Sequence, residues 1–215
     1  MPSKGEAGMQ RFLRAVIVRW PNVTLARCIF MLVALCTSGG WARELEVEGV
    51  HLSESEVVTG TRLLLNGYTV RKRGYLKSNV VALYLPKPMH TTDAVLNLNG
   101  PRRLQIRILR EMSGSAISRI FISDMERTAT TAEFKQLIDV VAATGAMYAD
   151  IKRILPGDVT NVDWIPGKGI VATLNGKPLG DGPINNELAY QIYLRMFMGA
   201  NVSDTARDAL LGNLN

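Results

Sequence analysis

Two apolar runs hinged at one glycine constrain this chain most. "TRLLLNGYTVRKRG" and "YLKSNVVALYLP" read as strands joined near Gly74. A strand turns successive side chains to opposite faces, so Arg71 and Arg73 share one face and Lys72 takes the other. If either face is buried, at least one cation points inward. A buried guanidinium is costly unless a carboxylate or another anion meets it.

The other segments supply a sheet and a helical layer. "RELEVEGV" (Arg43–Val50) alternates as a strand with one wet face, and the polar stretch "HLSESEVVTG" follows it. "KPMHTTDAVLNLNGP" contains a short helix, capped by Thr91 or Thr92, with Asp93 favourably placed in its first turn. "RRLQIRILRE" alternates strictly: Leu104, Ile106 and Ile108 face one way, Arg103, Gln105, Arg107 and Leu109 the other. Parity adds Arg110 to the apolar set. Ser113 or Ser115 then opens a helix with Ile117, Ile120, Phe121 and Met125 at helical spacing. Thr131 is expected to cap the next, whose stripe is Phe134, Leu137, Ile138, Val141 and Ala142. "PGDVTNVDWIPGKGIVATLNGKPLG" is a meander with turns at "PGKG" and Asn175-Gly176. "INNELAYQIYLRMFMG" is helical and stops at Gly199, and Ser203 caps a short last helix. Strands, a helix pair, more strands and more helices predict an α+β fold. One curved antiparallel sheet would carry helices on one face, with a ligand cleft between the layers.

The formal charge of +6 is misleading. Residues 1–42 hold Lys4, Arg11, Arg14, Arg19 and Arg27 against Glu6, and removing them leaves 20 basic and 18 acidic residues. No long basic stripe remains, which argues against nucleic acid as a partner. Four arginines precede the apolar run "CIFMLVALC", and small residues lead on to Ala42. That order is a secretory signal over 1–42, with cleavage near Ala42, and the run is short for a membrane span. Translation could also start at Met9. Left uncleaved, the segment would tether the protein to a membrane; lipid attachment at Cys36 is disfavoured by the bulky Leu35 before it. The reading places the domain at 43–215, in the periplasm or secreted. Cys28 and Cys36 both fall in the signal, so the mature chain would lack disulfides, thiolate catalysis and cysteine-bound metal.

Several chemistries are disfavoured. His51 and His90 are far apart with no ligand spacing, so no metal site is expected. There is no nucleophile elbow for a serine triad. "IPGKGIV" lies between strands rather than before a helix, so it is a hairpin turn and not a phosphate loop. Met196, Phe197 and Met198 read as core packing. What remains is Arg71 and Arg110 on apolar strands, each read as paired with an internal acid (for Arg110, Glu111, Asp124 or Glu126), as a strand-end residue reaching solvent, or as binding a ligand's carboxylate in a bidentate pair.

"LNGYTVRKRGYLKSNVVALYLP", "RILREMSGSAI", the meander quoted above and "GANVSDTARDALLG" together resemble successive blocks of the chalcone isomerase-like family, in its bacterial, exported branch. The similarity runs over Glu48–Gly212. It implies an open-faced β-sandwich, a large antiparallel sheet under a layer of helices. It also implies two kinds of relative: a plant enzyme that closes a chalcone to a flavanone without a cofactor, and non-catalytic fatty-acid-binding proteins that hold a carboxylate with arginine and tyrosine. The enzyme's arginine falls on Arg71 and its cleft threonine on Asn79, counted back from Tyr84. Its tyrosine falls near Ile117 and its asparagine near Asp124, so the polar set for cyclisation is incomplete.

The expected protein is therefore a non-catalytic binder of a fatty acid or similar amphipathic carboxylate, without cofactor. Arg71 and Arg110 would hold the head group, helped by Asn79 and Tyr84, and helices over 113–129 and 184–198 would cover the tail. The alternatives are an intramolecular lyase acting on an enone, with Arg71 catalytic and Ser115 or Ser118 supplying a hydroxyl, and a structural or partner-binding envelope protein.

Overall fold

The computed structural model describes residues 44–214, and the export segment read at 1–42 lies outside them. The chain opens with β1 (Glu44–Val47) and β2 (Val50–Ser53), an antiparallel hairpin. The polar stretch after the first strand is itself strand-forming: it carries β2 and β3 (Ser55–Val58). Then come β4 (Thr61–Arg73), β5 (Leu76–Leu85), α1 (Thr92–Leu96), β6 (Arg102–Ile108), β7 (Met112–Ser113) and α2 (Gly114–Thr128). The second half runs α3 (Thr131–Gln136), α4 (Ile138–Ala149), β8 (Arg153–Ile154), β9 (Val159–Ile165), β10 (Gly169–Leu174), β11 (Lys177–Pro178), α5 (Glu187–Met198) and α6 (Asp204–Leu210). Seven strands form one wholly antiparallel sheet in the order β11-β10-β9-β6-β5-β4-β3.

The helices pack on one face, as the alternation predicts. Val81, Leu83, Leu104 and Val162 point from the sheet into a core closed by Phe121, Val141, Tyr190 and Leu194. The opposite face is also covered in part. Leu52 of β2 packs with Leu63, Val80, Ala82 and Tyr84 in a second, smaller cluster. Burial on both sides explains why Val80 to Leu85 is a continuous apolar run rather than an alternating one.

Local chemistry fixes the helix ends. Thr91, Ser113, Asn186 and Ser203 each accept a hydrogen bond from a first-turn backbone N–H. The cap after α2 is Thr130 and not Thr131, because Glu133 completes a capping box with it. The single helix expected after it is broken at Leu137, which leaves helical geometry with its side chain fully buried. Asn175 and Gly176, with φ of 50° and 77°, make the expected hairpin turn.

Candidate functional site

Two bulges aim β4. Leu65 lies opposite Tyr84 and Gly67 opposite Leu83, so Asn66 is an extra residue. It resets the parity: Leu63 and Leu65 face the smaller cluster, while Gly67, Thr69 and Arg71 face the helices. Asn66 also pins the C-terminal segment, with Nδ2 donating to the carbonyls of Met89 at 3.0 Å and Leu210 at 3.1 Å. Gly67 is required there, since a Cβ would sit 2.2 Å from the Ala209 carbonyl. A second shift, at Ser78, leaves Arg71 opposite Asn79 and Lys72 opposite Lys77. Ser78 secures it by donating to the Arg71 carbonyl at 3.1 Å.

Arg71 and Asn79 thereby line a cavity of about 90 Å³, with Arg73, Asp124, Tyr148 and Tyr193 among its walls. The Arg71 guanidinium lies 4.7 Å from the centre of the Phe197 ring and 3.5 Å from Asp124 Oδ2. Asp124 is buried and shared by three arginines: it also meets Arg73 at 3.4 Å and Arg127 at 2.6 Å. Three positive charges thus surround one carboxylate, and the cluster keeps a positive excess. Burial pushes Arg71 below its ordinary pKa, and Asp124 partly reverses this. Asn79 Oδ1 is buried with no hydrogen-bond partner among the described residues.

A larger cavity of about 620 Å³ adjoins the first, and Phe121, Tyr148 and Tyr193 line both. Its volume falls within the ~300–1,000 Å³ of small-molecule sites. α2, α4, β9, β10 and the 179–184 loop enclose it, with mainly apolar side chains such as Met125, Val140 and Ile170. α2 and the start of α5 line it as expected, while α4 was not foreseen as a wall. Burial raises Tyr148 from 10.0 to about 12 and Tyr193 well above the ordinary phenol value. Both therefore stay neutral at physiological pH, and because they hydrogen-bond to each other one hydroxyl proton is left to donate to an oxyanion.

Two predicted site residues lie elsewhere. Arg110 is past the end of β6, exposed on a bend, and lines neither cavity. The inward-facing cation of that strand is Arg102, at its other end, fully buried against α1. Tyr84 is buried in the smaller cluster on the opposite face, because it lies an odd number of positions, five, along the strand from Asn79. Ile117 and Asp124 do line the small cavity, as the family match implied, while Ser115 and Ser118 line neither. Tyr148 and Tyr193 were missed. The stripe Leu137, Val141, continued at helical spacing through Gly145 to Tyr148, is the signal that would have found the first.

A sequence profile described as chalcone isomerase-like matches residues 44–212. The chain belongs to the chalcone isomerase-like family. Among solved structures, this family member resembles a fatty-acid binding protein of Arabidopsis thaliana, with a TM-score of 0.64 at 13% identity. That likeness covers 80% of this chain and 97% of the plant protein, and it shows a common fold. No curated protein matches the sequence significantly.

Proposed function

We propose that this chalcone isomerase-like protein binds a fatty acid or a similar amphipathic carboxylate without transforming it. The observation that carries the reading is the junction of the two cavities. A half-buried guanidinium with spare donors opens on a small, largely apolar chamber whose polar groups gather around Arg71, Arg73, Asn79 and Asp124, and a larger apolar chamber with room for a tail continues from it past Tyr148 and Tyr193. Arg71 and Arg73 would hold the head group, with the hydrogen-bonded Tyr148–Tyr193 pair offering it one hydroxyl proton and Asn79 accepting from a protonated or hydroxylated head. The plant relative's description as a fatty-acid binding protein supports the same ligand class. The N-terminal charge and hydropathy pattern supports export, with the ligand bound outside the cytoplasm.

Mass spectrometry of small molecules released from natively purified protein tests the reading directly. A long-chain carboxylate is expected, and it should be lost from Arg71→Ala. Protein that releases nothing and binds no long-chain carboxylate in titration would sink the proposal.

A second reading, cofactor-free cyclisation of an enone, draws support from Tyr148 and Tyr193, which bring hydroxyls to Arg71 where Ile117 cannot. Asp124 does not separate the two readings, since a carboxylate beside Arg71 opposes a phenolate and a fatty-acid head group alike. Ultraviolet assays with a panel of chalcones decide it: turnover abolished by Arg71→Ala would favour the enzyme.

A further inference from the structure

The β4–β5 turn has an unusual composition. Arg73 pairs with Leu76, leaving a two-residue loop of Gly74 and Tyr75, with Gly74 at φ 60° as a tight hairpin needs. The second loop position suits small polar residues. This chain puts a fully exposed tyrosine there, followed by Leu76 at 51% exposure. The register brings more to the same end of the sheet. Asn79 lies opposite Ile108, the Leu109 N–H donates to the Ser78 carbonyl, and Gly157 N–H donates to the Ile108 carbonyl. Arg110 and the 155–158 turn therefore lie at the same end of the sheet, level with Ser78 and Asn79 and set back from the tip, and Leu155 in that turn is 48% exposed.

Charge at this end is lopsided. Glu48 is held by Lys77, Glu111 by Arg153, and Asp158 by the Leu155 N–H and Asn175. Among the described residues, Lys72, Arg110 and Lys152 have no carboxylate partner, while Glu46, two residues from Glu48, is an acid that no cation holds. An aromatic and a leucine thus stand exposed at the hairpin tip, at an end of the sheet that also carries cations with no carboxylate partner.

We propose that this tip docks on an anionic lipid bilayer, with Tyr75 and Leu76 in the headgroup–acyl boundary and Lys72, Arg110 and Lys152 on lipid phosphates. Cations close to such a surface each contribute roughly fivefold in affinity, and shallow insertion of apolar side chains adds to it. A protein partner fits less well: a stable interface buries about 800 Å² per side, whereas this apolar patch is a few side chains on a narrow turn. Arg73 and Met112 line the small cavity, so docking would set that cavity beside the bilayer. The inference rests on the tip and not on what fills the cavity.

The test uses the full chain and vesicles of equimolar phosphatidylglycerol and phosphatidylcholine. The apolar N-terminal run is common to every variant, so the readout is the difference between variants. Tyr75→Ser with Leu76→Ser should lower partitioning at least about tenfold, and Lys72→Glu with Arg110→Glu should abolish the preference over pure phosphatidylcholine. Tyr75→Trp adds an indole reporter whose emission, after subtracting the parent, should shift to the blue and be quenched by brominated lipid. Unchanged partitioning of the Ser variant, or an indole emission from position 75 that is indifferent to vesicles, overturns the proposal. So does a photo-crosslinker at position 75 that captures a protein in place of lipid.

Discussion

Arg71 and Arg102 are the same side chain on the same helix-facing side of one sheet, yet they are held in opposite ways. Arg102 is fully buried and closed. Its guanidinium donates to the carbonyls of Val95 at 3.1 Å and Leu96 at 2.8 Å and to Glu187 at 3.2 Å, and it lies over the rings of Trp164 and Tyr190. Arg71 keeps 28% exposure, one ring contact and one ion pair at 3.5 Å with an acid that two other arginines share. The first arrangement uses both terminal nitrogens on the protein itself and leaves Nε, sealed in the core, as its one unpaired donor among the described residues. The second leaves donors facing a void. A buried cation is thus evidence of a site only when its unused donors face a cavity, as those of Arg71 do and the Nε of Arg102 does not.

The largest effect should come from the closed residue. Arg102→Met removes the donors that satisfy α1's last carbonyls and leaves Glu187 without a partner. Unfolding free energy should fall by about 1–3 kcal/mol for each of the two carbonyls left without its donor, with little added by Glu187, which is half exposed and returns to water, while ligand retained by the surviving folded protein stays the same. Equal losses of ligand and stability would erase the distinction between the two arginines. Arg71→Ala should do the reverse. A charged hydrogen bond contributes ~1.5–3 kcal/mol, so the Kd for a long-chain carboxylate should rise roughly 10- to 100-fold. Stability should change by less than about 1 kcal/mol, because the ion pair is loose and Asp124 keeps Arg73 and Arg127. Calorimetry with chemical denaturation reads both quantities on one preparation.

Asp124 tests how far the open site is held in check from within. Its carboxylate competes with any ligand anion for Arg71 and Arg73. Asp124→Asn should tighten carboxylate binding several-fold and lower stability by about 1–2 kcal/mol as three guanidiniums lose their shared partner. That is roughly 2–8 °C in Tm for a domain of this size. Weaker binding in this variant would mean that Asp124 orients the arginines rather than opposing the ligand.

The contrast also marks how far sequence reasoning reached. Strict alternation across Leu104, Ile106 and Ile108 identified β6 and its inward face, and Gly74 and Asn175-Gly176 identified two turns, because each signal is local. The position of Arg71 was also read correctly as inward, yet the reason was hidden: without the Asn66 bulge, parity from Leu63 would send it to the other face. Tyr84 was the converse, since its distance from Asn79 already placed the two on opposite faces. Arg110 failed because a strand ends where its neighbours stop pairing, and that depends on β5 and the 157–158 turn, remote in sequence. Arg102 shared the inward parity but stands beside Pro101 at the strand's start, where nothing local shows that α1 folds over it.

The smallest expected effect separates the phenols of the two sites. Tyr190 lies beside Arg102 and Tyr148 beside the open cavity, and burial raises both. Tyr148 moves from 10.0 in water to about 12 in the fold. Its folded state binds the proton more tightly than the unfolded chain, so the stabilisation is complete below about pH 10 and is lost as pH rises through about 12. Tyr148→Phe should flatten that part of the alkaline limb, measured by denaturant unfolding at stepped pH, apart from a pH-independent loss of about 1 kcal/mol. A bound carboxylate adds negative charge near Tyr148 and should push its ionisation higher still, whereas Tyr190, screened by Arg102, should not respond. If ultraviolet titration shows Tyr148 ionising near 10 with or without a long-chain carboxylate, the wall between the chambers is wet, and the open site loses the dry surroundings that would make its guanidinium selective for an anion.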